Sequence, residues 1–189
     1  FDENIQDEAL HERVQSDHID SVGSVLSSGL DLVPRGAGEI DAEQYDDDTA
    51  VFAVPGSMML VRASALVKVR HSEEEYMDKH FGSGDEDKDL SWRLQHAGLG
   101  IGYVPGAVAY RYRGVFQRGE IHALQNSELR RNRFLLLFKN LTFTRALSNF
   151  PRLLLLGTTS AGAFVGSLSY LPKMWSRRRE ILSNTSTGR

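Results

Sequence analysis

The spacing of apolar and polar residues changes along the chain, and each change predicts a different element. Short apolar runs broken by glycine and proline occupy residues 16–48, which predicts brief strands joined by a long surface loop. A β-branched and aromatic run at residues 50–55 predicts a buried strand that ends near Gly56. Residues 64–69 have the spacing of a short helix. The first 70 residues therefore predict a mixture of strand and helix.

The clearest helix signal begins within a cluster of acidic residues. Ser83 and Glu86 have the spacing of a capping box, and Asp85 is an alternative N-cap residue. Apolar residues then recur at three- and four-residue intervals, and a glycine stands where the pattern stops, at Leu90, Leu94, Ala97 and Gly98. The sequence therefore predicts a helix with an acidic start, a buried face and a glycine end.

Beyond this helix, the pattern of residues 101–113 predicts a strand, a proline turn and a second strand. Arg111 and Arg113 would lie near the end of the second strand. Their charge has two interpretations: it is solvated charge on an edge strand, or it contacts an anion such as a phosphate.

The last third of the chain predicts two helical segments with different surfaces. Residues 128–141 combine basic residues with an apolar stripe, as in a basic amphipathic helix. Residues 153–171 contain no charge, and their length approaches the roughly 20 residues that span a bilayer. Glycine, serine and threonine weaken that interpretation, and a buried hairpin packed on the domain is the alternative. A basic flank at residues 173–179 suits an anionic membrane surface.

Composition excludes several classes of protein. The chain has 189 residues, of which 41% are hydrophobic, so it has enough apolar material for a core and is not globally disordered. The absence of cysteine excludes disulfide frameworks, thiolate metal sites and cysteine nucleophiles. The chain starts without methionine and without the segments of a signal peptide, and we therefore expect it to be a piece of a longer protein.

Charge is distributed unevenly along the chain. Residues 1–50 contain 2 basic and 14 acidic residues, whereas residues 111–189 contain 14 basic and 3 acidic residues. The basic third could face anionic lipid, a phosphorylated substrate or nucleic acid. Nucleic acid is the weakest of these partners, because the aromatic residues lie on apolar faces and no nucleic-acid motif accompanies the charge.

Two acidic clusters are candidates for chemistry. Residues 46–48 are three consecutive aspartates, and hydrated side chains in a turn explain them better than a metal cluster does. Residues 85–89 place four acids at the start of the predicted helix. Ordinary capping explains carboxylates there, since each contributes about 0.3–1 kcal/mol through the helix dipole. Mutual repulsion among four acids in five positions favours a functional site instead, so both interpretations stay open.

Three segments of the chain carry a resemblance to a known family: GSMMLVRASAL, DKHFGSGDEDKDLSWRLQHAGLGIGYVPGAVAYRYRG and RRNRFLLLFKN. Together, over about residues 20–179, they resemble the C-terminal half of inverting family 2 glycosyltransferases, in particular the rhamnosyltransferase-like members. The resemblance implies an α/β fold, a partial glycosyltransferase-A (Rossmann-like) domain followed by C-terminal amphipathic and apolar helices. It also implies that the nucleotide-binding half lies upstream of Phe1.

The same resemblance divides the chain into three parts. Residues 1–125 correspond to the acceptor-side part of the catalytic domain. Residues 126–182 correspond to basic amphipathic and apolar helices that associate with a membrane, and residues 183–189 form a flexible tail. Without the nucleotide-binding half, the 189 residues are expected to be inactive by themselves.

Site residues follow from the resemblance position by position. Glu86 and Asp87 match the family's Glu-Asp motif, in which the aspartate is the catalytic base and the glutamate orients the base or the acceptor. An inverting transferase needs such a base to take the proton of the attacking hydroxyl. Gly56 and Ser57 are assigned to the acceptor and sugar pocket. Asp89 and Arg93, one helical turn apart, are also assigned to substrate binding and would form a supporting ion pair.

Arg111 departs from the family pattern. The family often has a histidine there that binds the metal holding the diphosphate, and an arginine could offset the diphosphate charge directly. The hypothesis is reduced metal dependence, with Arg111 contacting the diphosphate. A divalent metal, Mg²⁺ or Mn²⁺, would be bound by the family's Asp-x-Asp motif in the missing half. No metal ligand is assigned in this chain.

The implied function is inverting transfer of a sugar, rhamnose or another deoxyhexose, from a nucleotide sugar to a lipid-linked or surface-polysaccharide acceptor. The enzyme would serve cell-envelope polysaccharide synthesis. Residues 129–179 would hold it on the cytoplasmic face of the membrane, peripherally or embedded, and no nucleic acid would bind. The alternative is a non-catalytic membrane-binding or interaction module derived from a glycosyltransferase, or a degenerate copy that no longer catalyses.

Overall fold

A computed structural model describes residues 17–82, 84–110, 120–149, 151, 153 and 161–186. In these ranges the strands are short and pair as two antiparallel two-stranded sheets. The strands are β1 (Ser24–Leu26), β2 (Leu32–Pro34), β3 (Ala50–Val51) and β4 (Ile101–Gly102). β1 pairs with β2, and β3 pairs with β4.

Helices make up most of the regular structure of the described residues. They are α1 (Ala63–Val69), α2 (Glu86–His96), α3 (Glu120–Asn140), α4 (Phe143–Ser148), α5 (Ala161–Ser167) and α6 (Leu171–Ser186). Two 3-10 helices occupy Lys79–Phe81 and Leu168–Tyr170. The predicted mixture of brief strands and helices is therefore confirmed.

The two sheets are joined at Ser24, which accepts the N–H of Phe52 at 2.9 Å. Ser24 of β1 donates its N–H to the carbonyl of Ala53 and accepts the Ala53 N–H, at 2.7 and 3.1 Å. Gly23 permits this approach, because a Cβ at its position would lie 2.7 Å from Val51 Cγ1. The hairpin of β1 and β2 thus pairs with the chain just after β3, through an antiparallel bridge between Ser24 and Ala53.

The strand predicted over residues 50–55 is shorter than expected. Only Ala50–Val51 pairs as a strand. Several backbone groups of residues 51–56 form hydrogen bonds with side chains of α2. These side chains supply the hydrogen-bond partners that a neighbouring strand would supply in a sheet. The second strand predicted after the proline turn was also wrong for its described part, since residues 106–110 form no strand.

The C-terminal end of α2 follows the sequence prediction, and the N-terminal end follows it in position only. Asp85, the alternative N-cap residue, occupies the N-cap position with φ of 70°, but its side chain makes no capping hydrogen bond, and Ser83 of the predicted capping box lies outside the described residues. Gly98 ends the helix with φ of 72°. The Gly98 N–H donates to Gln95 O and the Leu99 N–H to Leu94 O, both at 3.0 Å. This pair of bonds is a Schellman motif, which satisfies carbonyls that the helix end would otherwise leave free.

The interior consists of two apolar clusters, one on each side of α2. One packs Leu90 and Leu94 against α1 and its neighbours. The other packs Trp92 against the buried leucines of α3, Leu135, Leu136 and Leu137, and against Met174 of α6. Each fully buried leucine contributes about 1.5–3 kcal/mol relative to an exposed one. α2 is therefore held from both sides, which fixes the position of its acidic start.

The C-terminal predictions are tested only in part. A helix covers residues 128–141 up to Asn140, as predicted. Within the described residues, no helix combines the length and apolar character needed to cross a membrane. Residues 154–160 of the apolar stretch, like Arg111 and Arg113, lie outside the described residues, and the proposed domain boundaries stay predictions.

Candidate functional site at the start of α2

Each acid at the start of α2 has its own hydrogen-bond or ion-pair partner, and these partners offset the repulsion expected among four neighbouring carboxylates. Asp85 is buried and pairs with Lys88. The Glu86 carboxylate accepts the N–H of Gly84 at 2.6 Å. Asp89 points into the interior. Glu86 and Asp87 are the half-buried members of the group, so they are the two that solvent or a substrate can reach.

Asp87 is fixed by two backbone N–H groups. Its Oδ2 accepts the N–H of Gly56 at 2.7 Å, and its Oδ1 accepts the N–H of Lys88 at 2.7 Å. An ionised carboxylate offers about four lone-pair sites, so two bonds leave capacity for a hydroxyl proton. The carboxylate is thus oriented, half-exposed and able to accept a proton.

A polar stripe along α2 holds the chain that carries Gly56. Asp87, Ser91 and Gln95 are spaced four residues apart and therefore share one face of the helix. The Ser91 hydroxyl accepts the N–H of Val54 at 3.5 Å, and the Gln95 amide donates to the carbonyl of Phe52 at 3.1 Å. The stripe positions the backbone of residues 51–56 along the helix.

The structure brings two of the predicted pocket residues to the acid pair. Gly56 contacts Asp87 directly, and Ser57 follows it in the same exposed turn. That turn is closed by a bond from the N–H of Met58 to the carbonyl of Pro55 at 3.3 Å. Residues 56–58 of this turn are exposed, and Asp87 beside them is half-buried. Arg111 lies outside the described residues.

Asp89 and Arg93 form the ion pair that their spacing predicts, with Arg93 Nε 2.9 Å from Asp89 Oδ2. Both side chains are buried. The Arg93 guanidinium also donates to the carbonyls of Val69 and Tyr76, which joins α2 to the end of α1 and the loop beyond it. The pair lies in the interior, and a direct contact with substrate stays a prediction.

A buried lysine completes this interior cluster. Lys139 of α3 is fully buried, and its ammonium lies 2.6 Å from Asp78 Oδ2, 2.8 Å from Asp89 Oδ2 and 2.9 Å from His71 Nε2. These three contacts use all three ammonium donors. Because an ammonium only donates, His71 Nε2 is the acceptor and the neutral ring carries its proton on Nδ1. Asn140 adds a bond to Asp89 Oδ1 at 3.0 Å.

The cluster shifts the titration of its members. Burial opposes ionisation of Asp78, but the charge and hydrogen bond of Lys139 outweigh it and lower the pKa of Asp78 to about 2. Burial likewise opposes ionisation of Asp89, and the charges of Lys139 and Arg93 hold its pKa well below the usual value. Burial lowers the pKa of His71, assisted by the charges of Lys139 and Arg93. At neutral pH the aspartates are ionised and His71 is neutral.

These groups do not fit a divalent metal. His71, Asp78 and Asp89 converge closely enough to hold an ion, but the Lys139 ammonium already contacts all three. A second set combines Asp78 with Glu75 and His80, where Glu75 pairs with Arg177. In both sets a side-chain cation already neutralises a carboxylate that a metal would need.

The three aspartates at 46–48 lie in an exposed turn. Asp48 pairs with Arg35 at 2.9 Å, and Asp46 accepts the Tyr103 hydroxyl at 3.2 Å. These contacts agree with the hydrated turn that the sequence favours.

Sequence reasoning missed the inward polar residues of α3. Lys139 was counted among charges for a membrane surface, because a lysine on an amphipathic helix is normally solvated. One signal was present: Asn132, Leu136 and Lys139 follow the spacing of the buried face. Polar residues at core spacing indicate buried partners, and these lie about 50 residues earlier in the chain, at Phe81, Gly84 and Asp89.

Comparison with known proteins adds one finding. A family model described as glycosyl transferase family group 2 matches residues 34–178. The match starts in β2, includes all of α2 and α3 and ends in α6. No curated protein and no solved structure shows a significant match to the chain.

Proposed function

Because this chain belongs to glycosyl transferase family group 2, we propose that it carries the acceptor side of an inverting sugar transfer, with Asp87 as the general base. Family membership makes the protein a glycosyltransferase that uses a sugar donor and an acceptor. Its helices and small sheets form a partial α/β domain of the glycosyltransferase-A type. The inverting stereochemistry and the role of Asp87 are the proposal.

The geometry of Asp87 carries this proposal. In the transfer, the acceptor hydroxyl oxygen bonds to the anomeric carbon as the bond from that carbon to the diphosphate breaks. The hydroxyl proton must leave at the same time, and a carboxylate within hydrogen-bond reach accepts it. Asp87 meets the requirement because two N–H bonds orient its carboxylate and its surface is half-exposed beside the turn of Gly56.

The other predicted site residues have supporting parts in the proposal. Glu86 orients the acceptor next to the base, and Gly56 and Ser57 form the wall on which the acceptor rests. Asp89 and Arg93 act from the interior, since their bonds hold α2 in place. This positioning part is separate from the direct substrate contact that the resemblance predicts for both residues.

The test compares Asp87→Asn with wild type in the full-length protein, using a panel of nucleotide sugars that includes deoxyhexose donors. Asparagine has a single acceptor oxygen, which can keep the Gly56 N–H bond at the expense of the Lys88 N–H bond, so the turn is preserved while the base is lost. We expect kcat to fall roughly 10²-fold or more, while the lost hydrogen bond lowers stability by only about 1 kcal/mol. Asp48→Asn, an exposed carboxylate in another turn, is the matched control. Wild-type turnover by Asp87→Asn would place the base elsewhere.

The donor side of the proposal rests on resemblance. Arg111 contacts the diphosphate and reduces the dependence on a divalent cation, and the donor is a deoxyhexose nucleotide such as a rhamnose nucleotide. In the same assay, Arg111→Ala should weaken sugar-nucleotide binding about tenfold or more. An unchanged affinity would exclude the contact. Residues 1–189 alone should show no turnover, and detectable product would refute that expectation.

We also propose that the C-terminal helices rest on the cytoplasmic face of an anionic membrane and serve a lipid-linked or cell-envelope acceptor. Phe143 and Leu147 lie one turn apart on α4 and are 75% and 66% exposed. Trp175 of α6, half-exposed, contacts Phe138 near the point where α4 begins. Exposed apolar side chains beside the basic residues of α6 suit a lipid interface.

Vesicle binding tests this placement. A Phe143→Ser, Leu147→Ser double variant should lose most binding to anionic phospholipid vesicles, whereas Leu60→Ser, a fully exposed leucine elsewhere, should not. Equal binding by both variants would exclude α4 as a contact. Intact vesicle binding without transfer from any nucleotide sugar would instead favour the second candidate function, a non-catalytic membrane module.

A further inference from the structure

We infer that Asn132 of α3 is a positioning residue of the transfer site, because it clamps the loop from which the acid pair begins. The inference rests on the proposed roles of Glu86 and Asp87. It assigns to a buried residue of α3 the task of fixing the two acids that face the substrate.

The loop before α2 has a conformation that needs support. Gly82 and Gly84 have φ values of 62° and 115°, and Asp85, which is not a glycine, has φ of 70°. A non-glycine residue in this region is strained and persists where surrounding contacts hold it. Relaxation of Asp85 would rotate the first turn of α2 and move Glu86 and Asp87 with it.

Asn132 supplies the holding contacts. Its side chain is fully buried, and its amide nitrogen donates to the carbonyl of Phe81 at 2.6 Å and to that of Gly84 at 2.8 Å. The two carbonyls lie on either side of the loop, so one amide group ties both ends together. The Asn132 Oδ1 accepts from the guanidinium of Arg131 at 2.9 Å, which fixes the orientation of the amide.

Gly84 connects this clamp to the acid pair. Its carbonyl accepts from Asn132, and its N–H donates to the Glu86 carboxylate at 2.6 Å. The residue after Glu86 is Asp87, whose carboxylate bonds to Gly56. Hydrogen bonds therefore link Asn132 to Gly84 and Gly84 to Glu86, and the backbone links Glu86 to the proposed base, Asp87.

The experiment uses the full-length protein with Asn132→Ala and Asn132→Asp. Alanine removes both donors, and aspartate places a carboxylate oxygen against two carbonyls. We expect kcat to fall about tenfold or more with KM for donor and acceptor changed less than threefold, and amide exchange at residues 84–87 to become faster. Met174→Ala, which opens a buried site on α6 without removing a hydrogen bond to the loop, is the control for lost stability.

The outcomes are distinct. If Asn132→Ala keeps the wild-type kcat, or loses no more activity than Met174→Ala at an equal drop in melting temperature, Asn132 is only structural and the inference is overturned. Unchanged exchange at residues 84–87 would also overturn it. If Asp87→Asn is fully active while Asn132→Ala is impaired, the assignment of the base fails and the clamp stands.

Discussion

At the scale of single residues, the contact between Gly56 and Asp87 leaves little room for an added group. A Cβ at position 56 would lie 3.2 Å from Asp87 Cβ and 3.5 Å from its Oδ2. The distance to Asp87 Cβ is shorter than ordinary carbon contacts, so the Asp87 side chain would have to move by a few tenths of an ångström, and its carboxylate would move with it. A shift of this kind matters for a proton acceptor, whose reach is set by hydrogen-bond distance.

We therefore predict that Gly56→Ala lowers kcat roughly tenfold while the free energy of unfolding changes by less than about 1 kcal/mol. Steady-state kinetics and urea unfolding of the full-length protein measure the two quantities. Gly106→Ala is the control, because no atom lies within 4 Å of the added Cβ. A normal kcat in Gly56→Ala would show that the position of the Asp87 carboxylate does not limit the reaction.

At the scale of elements, α2 and α3 are joined by charge as well as by leucines. Asp78 and Asp89 are buried with Lys139 between them, and each aspartate keeps its negative charge because the ammonium is there. A buried ion pair adds little over a well-packed apolar pair, but removing one partner leaves the other charge uncompensated. Loss of any one member of this cluster should therefore destabilise the fold more than the intact cluster stabilises it.

We predict that Lys139→Met destabilises the domain by about 3–5 kcal/mol, since two carboxylates would lose their shared cation. Thermal or urea unfolding measures the loss. Lys173→Met, at an exposed lysine of α6, should change stability by no more than about 0.5 kcal/mol. Equal effects of the two substitutions would mean that Asp78 and Asp89 find other partners or protonate without cost.

Local patterns predict α2 well and its surroundings poorly. The apolar stripe and Gly98 are encoded within a dozen residues, and the structure confirms them. Asp85 takes the N-cap position without making a capping bond. The strand at residues 50–55 was overestimated because its partner groups come from α2 side chains, which a strand pattern does not show. The Lys139 cluster joins residues about 50 to 70 positions apart. Only the folded chain brings those groups together.

The candidate site was likewise predicted from the sequence only in part. Glu86 and Asp87 were identified by resemblance to a motif, and the structure adds the partner of each carboxylate. Asn132 carried no signal of its own beyond a polar residue at a core position, because its partners are backbone carbonyls that any sequence provides.

At the scale of the whole molecule, the buried titratable groups predict how stability depends on pH. The pKa values of His71 and His96 are lowered, chiefly by burial. Folding therefore favours their neutral forms, and stability falls as the pH drops below the ordinary histidine value of 6.5. The pKa of Asp78 is lowered from 3.8 to about 2, so its contribution is present above about pH 4 and lost toward pH 2.

We expect the free energy of unfolding to decline from pH 7 to pH 5 and then more steeply below pH 4, where Asp78 alone contributes roughly 2 kcal/mol. Urea unfolding followed by tryptophan fluorescence across this range tests the profile. Lys139→Met should flatten the step below pH 4, because Asp78 would lose the cation that holds it ionised, whereas Asp89 keeps Arg93. A stability that rises on acidification from pH 7 to pH 5 would contradict the assignment of the neutral histidines.

The position of the Lys139 ammonium has a practical consequence for assays. In many proteins a triad of one imidazole and two carboxylates depends on a dissociable ion, and a chelator such as EDTA then unfolds the domain. Here the cation is tethered to α3 by the lysine side chain, so chelation cannot withdraw it. The melting temperature of this domain should be the same with and without EDTA. Inactivation by EDTA would then report on catalysis at the donor and not on loss of the fold.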